Sequence, residues 1–329
     1  MIVLQSQAAW MRQETMREMT GNSRAISIAV AILACTCLAG RSASAQDLEP
    51  RAFSNAPVGL NFLIAGYAYS SGAVLFDDAL AAALQIQEAS GTLHQGVFSY
   101  IRAIGLFGMS GRLGAIVPVV SGDWEGILAD TFAAVSRDGL GDPRLLFSVG
   151  LIGAPALRAA DFVTYRERTV FGASLQVIVP LGQYDPNRLI NLGSNRWAFK
   201  PRLGISHTAD RWTFEFFAAA WLFTDNPDAL GQRVEQDPIF ALQGHVIHQF
   251  RRGLWLAINF GFGSGGRSTV GGEIKDDFRK DSRFGAQLAV PLARRHSLKL
   301  IYVSNVSTSI GADFDTVSLL YQYRWGAGI

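Results

Sequence analysis

The sequence has very little cysteine, and the position of the cysteines limits what chemistry the chain can perform. Only two of its 329 residues are cysteine, Cys35 and Cys37, and both lie within residues 1–45. This stretch is typical of an export signal, with arginines ahead of an apolar core at 25–39 and small residues at 43–45. We therefore predict a signal peptide with an N-terminal extension at 1–45. The mature chain would then hold no cysteine, which excludes disulfides and thiol chemistry.

Two alternatives stay open in this stretch. A start at Met16 or Met19 would shorten the N-terminal extension. A lipid anchor on Cys35 is the alternative to cleavage after Ala45, although residues 32–34 match that signal imperfectly. Neither alternative changes what is expected of the chain after Gln46.

The mature chain also lacks a net charge. Removing residues 1–45 takes away four of the 29 basic residues and two of the 27 acidic ones, which leaves 25 of each. A nucleic-acid partner requires a net basic surface. We therefore expect no nucleic-acid partner.

Long uninterrupted hydrophobic runs are missing from the mature chain, although it is apolar. Hydrophobic residues make up 49% of the chain and charged residues 17%, which is apolar for a soluble protein. The longest uncharged run near the mature start, 58–76, is broken by Asn61, Gly66 and Gly72, so it does not predict a membrane-spanning helix. High apolarity without spanning helices favours alternating strands.

A period of two is clearest in residues 196–226. Trp197, Phe199, Pro201, Leu203 and Ile205 alternate with smaller or polar residues, and a second alternating arm begins at Arg211 after a short break. Each arm of this hairpin runs for about 12 residues, or roughly 40 Å. That length is enough to cross the apolar band of an outer membrane, which is about 25 Å tall, at a steep tilt. Aromatic residues lie at the strand ends, as in a membrane girdle.

The pattern predicts about twelve strands over the mature chain. They span 57–69, 93–107, 110–120, 141–152, 169–181, 196–207, 211–224, 238–250, 254–263, 282–291, 297–304 and 315–325. Short connections at 108–109, 208–210, 251–253 and 292–296 alternate with long ones at 70–92, 121–140, 182–195, 225–237, 264–281 and 305–314. The connection at 153–168 is the one exception to this alternation.

These patterns predict an all-β fold, a transmembrane antiparallel β-barrel of about twelve strands with long outer loops and short periplasmic turns. The barrel would occupy 57–329, after a periplasmic lead at 46–56. A soluble β-sandwich is the structural alternative, but it explains neither the export signal nor the alternating loop lengths. The expected location is the bacterial cell outer membrane, with outer-membrane lipid as a partner and barrel-assembly machinery as a partner during biogenesis.

Strand parity predicts which polar side chains line the lumen. Arg102 and Arg112 are included because a charge facing lipid costs about 2–4 kcal/mol at mid-depth. The resulting surface is more basic than acidic, so it favours anionic or electron-rich solutes, although a self-paired structural network is the alternative. The lumen candidates are Arg102, Arg112, Lys200, Arg202, Glu215, Gln243, His245, Asn259, Arg283, Gln287, Lys299, Gln322 and Arg324.

Motifs for catalysis or metal binding are weak. The glycine-rich stretch 261–272 lacks the lysine of a phosphate-binding loop and is typical of a flexible loop. His245 and His248 are three residues apart, so a strand would point them to opposite faces. The adjacent pair Ser206 and His207 would also face opposite ways. We expect no enzyme activity, no cofactor and no metal.

Several phrases together resemble a family of outer-membrane transporter or channel proteins linked to the meta-cleavage pathway of phenol degradation. They lie at 179–185, 190–201, 212–215, 236–238 and 314–325, and the likeness spans most of residues 57–325. The resemblance implies a β-barrel and a transport role for aromatic compounds. The family carries no established catalytic residues, so the resemblance implies none here.

The most specific phrase lies in a long loop rich in turn-forming residues. This loop either folds into the barrel mouth as a constriction or closes onto the rim. The constriction candidates are Tyr184, Asp185, Asn191, Asn195, Arg196 and Trp197. The function expected from the sequence is a channel for passive uptake of small aromatic or anionic solutes, and the alternatives are a plugged structural barrel and an outer-membrane hydrolase.

Overall fold

A computed structural model describes residues 48–75, 86–188 and 190–328. The predicted signal peptide at 1–45 lies outside these residues. The described part contains one short helix, α1 (Ala159–Phe162), and no helix in it is long and apolar enough to cross a membrane. Its strands are β1 (Leu60–Leu75), β2 (Ile86–Leu106), β3 (Met109–Leu128), β4 (Thr131–Leu140), β5 (Arg144–Ile152), β6 (Thr169–Ile178), β7 (Ala198–Ala209), β8 (Trp212–Phe223), β9 (Asn226–Ala229), β10 (Gln232–Gln236), β11 (Ile239–Arg251), β12 (Leu254–Gly265), β13 (Ser268–Val270), β14 (Glu273–Ile274), β15 (Arg279–Pro291), β16 (His296–Ser307) and β17 (Gly311–Gly326).

Thirteen of these strands form one antiparallel sheet that closes on itself. The sheet runs β2-β1-β17-β16-β15-β12-β11-β8-β7-β6-β5-β3-β4, and pairing between β2 and β3 closes the ring. Strands β4 and β5 both pair with β3, β4 along its far half and β5 along its near half. Strands β4 and β5 therefore share one strand position, and the barrel has twelve strand positions. Closure removes the exposed edges that an open sheet would present. The predicted fold class is confirmed.

Side chains alternate between a lipid-type outer face and a polar inner face. In β11, Phe240 is 64% exposed and Leu242 44%, whereas the intervening Ala241 and Gln243 are buried. The same alternation places Phe214 and Phe216 of β8 outside and Glu215 inside. A soluble barrel would have the reverse arrangement, with apolar side chains inside.

The connections define two ends of the barrel. At the turn end, two residues join β2 to β3, β7 to β8 and β11 to β12, four residues join β15 to β16, and the segment 153–168 with α1 joins β5 to β6. At the loop end lie the connections 179–197, 224–238, 266–278 and 308–310. Two of these long loops fold into a second, four-stranded sheet of order β14-β13-β10-β9.

The prediction of a loop at 121–140 is wrong, because this stretch forms a hairpin. Strand β3 continues to Leu128 and pairs with β4 from Thr131 onward. Ala129 and Asp130 turn the chain with φ of 46° and 59°, as in the two-residue turns that match strand twist. The register with β3 holds over the whole hairpin.

The first residues described do not lie outside the barrel. Residues 48–59 run from the turn end into the lumen, where Leu48 and Phe53 are buried. Leu48 lies against the middle of the wall, since a Cβ placed on Gly261 or Gly285 would come within 3 Å of its side chain. We call residues 48–59 the plug. The part of the predicted periplasmic lead that the structure describes is thus inside the barrel.

Candidate functional site

An ion-pair cluster binds the inner end of the plug to strand β7. Glu49 Oε2 lies 2.8 Å from Arg202 Nη2, and Glu49 Oε1 lies 3.7 Å from Lys200 Nζ. Both cations are buried, and Lys200 Nζ also lies 5.0 Å from the ring centroid of Trp221. Burial opposes the charged form of Glu49, but the charges of Arg202 and Lys200 outweigh it and lower the pKa of this carboxyl from 4.5 to about 2. The plug is therefore held by a charged carboxylate.

An aromatic seat holds the middle of the plug. The ring of Phe53 packs edge-on against Phe217, with centroids 5.3 Å apart. Gly172 and Gly204 make room for this ring, since a Cβ on Gly172 would lie 2.3 Å from Phe53 Cδ1 and one on Gly204 would lie 2.6 Å from Phe53 Cε2. The wall thus lacks a side chain at the two positions that the edge of the Phe53 ring approaches.

Backbone contacts bind the plug nearer the turn end. The amide of Arg51 donates to Glu215 Oε2 at 2.7 Å, and the amide of Asn55 donates to Glu167 Oε2 at 2.6 Å. Further along, the Val58 amide donates to the Leu157 carbonyl at 2.9 Å. Burial raises the pKa of Glu167, a residue of the 153–168 segment. The carboxylates of Glu215 and Glu167 therefore accept hydrogen bonds from two amides of the plug, which lies outside the strands of the barrel.

A cavity of about 130 Å³ remains between the plug and the wall formed by β2, β3, β5, β6 and β7. Arg112, Lys200 and Arg202 line it from the wall, and Glu49 lines it from the plug. The cations outnumber the carboxylate, so the space is electropositive. The remaining lining is of mixed polarity and consists of Ala52, Ile101, Gly114, Leu146, Phe147, Ser148, Ser174, Leu175 and Gln176.

Two buried donors on this cavity have no hydrogen-bond partner within the described protein. They are Gln176 Nε2 and Arg202 Nη1. A buried donor without a partner is costly, and the usual remedy is a hydrogen bond to water or a ligand. The cavity therefore offers a cation and an amide donor to a polar solute.

A row of polar residues crosses the adjoining wall, from β7 to β12, at one level. Ser206 of β7 pairs in register with Glu215 of β8, Glu215 with His245 of β11, and His245 with Asn259 of β12. His245 Nδ1 lies 2.8 Å from Asn259 Oδ1. All four side chains are buried. This row gives the lumen a polar wall where a soluble barrel would have an apolar core.

The structure places the predicted lumen candidates on the inner face, with one exception. Lys200, Arg202, Glu215, Gln243, His245, Asn259 and Gln287 are buried there, and Arg112, Arg283, Lys299, Gln322 and Arg324 share inner-face positions. Arg102 is placed differently from the prediction. It shares the outer face of β2 with Phe98 and Tyr100, and its Nη1 donates to Asn61 Oδ1 at 3.3 Å near the turn end. A long side chain at the membrane boundary can reach water from the outer face.

The predicted constriction candidates do not act as one group. Asn191 is buried and ties the loop to itself, since it accepts from the Asp185 amide at 2.7 Å and donates to the Asp185 and Arg188 carbonyls. Tyr184 Oη donates to the Asp228 carbonyl at 2.7 Å, in the neighbouring loop.

The other three candidates lie at the rim. Asn195 Nδ2 donates to Asn226 Oδ1 at 2.8 Å, and Arg196 Nη2 donates to Gln236. Trp197 is 42% exposed and stacks with Phe199 on the outer face. The loop therefore closes onto the rim, and the plug fills the lumen.

Sequence reasoning missed Asp142, which fixes this loop. Its carboxylate accepts from the Gly182 amide at 2.8 Å, the Ser194 amide at 2.7 Å and Ser194 Oγ at 2.6 Å. Asp142 lies in the break between β4 and β5. The sequence signal for this role was the turn-forming triplet Gly141-Asp142-Pro143, which follows the hairpin.

A barrel with lipid-type side chains outside, a polar lumen and a plug defines a transmembrane β-barrel protein of the outer-membrane type. The sequence matches the model of the family described as "Putative MetA-pathway of phenol degradation" over residues 78–321. The chain belongs to this family. None of the curated proteins matches the sequence.

A solved structure supports the fold. The COG4313 outer membrane channel from Pseudomonas putida F1 superposes with a TM-score of 0.71 and 19% identity, covering 85% of this chain and 100% of that one. The β domain of the Bordetella autotransporter BrkA gives a TM-score of 0.49 and 11% identity, with 82% and 99% covered. The monoaromatic hydrocarbon channel TodX gives 0.44 and 12%, with 84% and 91% covered.

Proposed function

We propose that this chain is an outer-membrane channel for passive uptake of small anionic solutes, including aromatic carboxylates. The observation that carries the proposal is the cavity between plug and wall, where Arg112, Lys200 and Arg202 face a single plug carboxylate, Glu49. Rings of cationic side chains select anions in pores because they replace part of the hydration that the ion loses. Family membership supports a link to the breakdown of aromatic compounds.

The lining suits an aromatic anion. The same cavity contains aliphatic side chains, Ile101 and Leu146, beside its cations. A ring could pack on these while its carboxylate binds a guanidinium through paired hydrogen bonds. The unpartnered donors Gln176 Nε2 and Arg202 Nη1 add hydrogen bonds at the same place.

Passage requires that the plug leaves or shifts, because it lies across the lumen, with contacts to Arg112 of β3, Gly172 of β6 and Gly285 of β15. The plug is attached by side chains and amides and contributes no strand to the barrel. It can therefore move without breaking the sheet. The turn end, with its short connections, faces the periplasm in this proposal, and the loop end faces outward.

Charge reversal tests the proposal. Arg202→Glu together with Lys299→Glu places two carboxylates on the inner face and should move the reversal potential under a KCl gradient toward cation selectivity. Arg102→Glu is the matched control, because this residue lies on the outer face. An unchanged reversal potential in the double variant would remove these residues from the conduction path.

A closed structural barrel is the second candidate, and the plug itself favours it. Such a barrel would show no conductance steps in planar bilayers even when the plug contacts are weakened. We propose no catalytic activity. Ser206 is buried on the inner face, while His207 is exposed outside and its Nδ1 lies 2.8 Å from Thr169 Oγ1, so they form no nucleophile–base pair.

A further inference from the structure

Arginines are concentrated on three neighbouring turns at the turn end. Arg211 follows β7, Arg251 and Arg252 surround the end of β11, and Arg294 and Arg295 lie between β15 and β16. All five are exposed. We call these five residues the basic arc.

The three turns form one continuous surface. The Gln249 amide donates to the Arg211 carbonyl at 2.8 Å, which joins the first turn to the second. A Cβ on Gly253 would lie 3.2 Å from Pro291 Cβ, so the second turn touches the third. Arg324 of β17 extends the surface, since its Nη2 donates to the Arg294 carbonyl at 2.7 Å.

Few carboxylates balance this charge. The turns of the basic arc carry one acidic residue, Asp210. Among the residues that the structure describes, Arg211, Arg251, Arg252 and Arg294 form no ion pair with a carboxylate. Clustered like charges repel one another, and a bound anion relieves that repulsion.

An aromatic belt fixes the depth of the basic arc. Trp212 follows Arg211, Phe250 precedes Arg251, and His296 follows Arg295. The His248 ring lies between Trp212, at a centroid distance of 4.4 Å, and Phe250, at 4.7 Å.

The belt continues on the next strands. The His296 ring lies 5.1 Å from Tyr323, which stacks on Trp325 at 5.5 Å. Aromatic belts mark the boundary between the apolar membrane core and the headgroups. The arginines of the basic arc lie further toward the turn end than this belt, and therefore at the level of the headgroups.

We propose that the basic arc binds anionic phospholipid headgroups in the membrane leaflet at the turn end. Guanidinium groups bind phosphodiester oxygens through paired hydrogen bonds. An arginine near an anionic membrane surface strengthens attachment by about fivefold. The opposite side of the barrel differs, because the turn between β2 and β3 presents Phe107, which is 91% exposed, and no charge. The lipid would therefore bind one side of the barrel.

This proposal rests on the membrane placement of the barrel and does not depend on which solute passes through it. Native mass spectrometry of the full detergent-purified chain, titrated with phosphatidylglycerol and with phosphatidylcholine, tests it directly. The wild type should retain phosphatidylglycerol at least about tenfold more tightly. The variant R251Q/R252Q/R294Q/R295Q should lose that preference while its unheated gel mobility stays that of a folded barrel.

A matched control carries the same charge change at the loop end. R188Q/R233Q/K275Q/K280Q should keep the preference for phosphatidylglycerol. Retained preference in the basic-arc variant, or an equal loss in the control, would overturn the proposal. Displacement of the lipid by an equal concentration of soluble glycerol 3-phosphate would also overturn it, since the site would then bind free phosphates. Solute uptake by the basic-arc variant is measured separately, by liposome swelling. This measurement distinguishes a failure of the lipid proposal from a failure of the channel proposal.

Discussion

Glu49 of the plug and Arg202 of the wall meet at 2.8 Å, although they are 153 residues apart in the chain. Lys200 lies on the other side of the same carboxylate. One carboxylate thus pairs with two buried cations, and the position of the plug depends on it. The plug is a separate element whose attachment can be weakened without disturbing the barrel.

Replacing Glu49 with glutamine should loosen the plug. Removing one partner of a buried ion pair leaves the other charges without compensation, at a cost of about 3 kcal/mol. We expect larger or more frequent conductance steps in planar bilayers for Glu49→Gln. Glu125→Gln, an exposed position on β3, is the control and should behave as the wild type. Identical traces for both variants would show that the ion pair does not hold the plug.

Plug attachment should depend on pH in a defined direction. The pKa of Glu49 is about 2 in the folded protein and 4.5 for a free carboxyl, so its stabilisation is present above about pH 4.5 and is lost as the pH falls toward 2. A spin label on Ala52→Cys should become mobile across this window. In the Glu49→Gln background its mobility should not change across this window. Mobility that changes only above pH 5 would assign the transition to another group.

A side chain added to the wall at Gly172 should occupy the space that the Phe53 ring now takes. Gly172→Val should displace the Phe53 ring, because even a Cβ at this position lies 2.3 Å from it. The plug should then be more accessible to protease, and conductance should rise. Gly244→Val is the control, since a Cβ there meets nothing within 4 Å. Equal effects of the two substitutions would indicate general damage to the barrel.

The loop at 179–197 should depend on Asp142. Asp142→Ala removes the acceptor of three hydrogen bonds, and we expect a loss of stability of about 3 kcal/mol together with proteolytic cleavage inside the loop. Asp138→Ala is the control, because Asp138 is exposed on β4. Thermal melting and limited proteolysis measure the two effects. A resistant loop in Asp142→Ala would mean that its backbone contacts suffice.

The strand pattern could be predicted because lipid outside and a polar lumen inside impose a strict period of two. In β11, for example, the exposed residues before the terminal Arg251 are apolar, and their inward neighbours include Gln243 and His245. The hairpin at 121–140 escaped prediction because it extends beyond the belt, where neither face has to be apolar. Arg102 was assigned to the lumen because a charge facing lipid is costly at mid-depth. That argument ignores that a long side chain near the membrane boundary reaches water.

The plug could not be predicted from strand periodicity. Its contacts depend on residues far apart in the chain, such as Phe53 against Gly172 and Gly204, or Asn55 against Glu167. A single buried aromatic residue in a polar lead was the available signal. The basic lumen residues were found because each lies on a regular strand, but their pairing with Glu49 required the fold.

Liposome swelling tests the central claim most directly. The purified, refolded chain would be compared for uptake of benzoate, of benzylammonium as a cation of similar size, and of a neutral sugar, in the wild type and in Glu49→Gln. We expect benzoate to enter faster than benzylammonium and the difference to persist, at higher rates, in the variant. Equal rates for benzoate and benzylammonium, or no uptake by a folded barrel even with Glu49→Gln, would contradict the account.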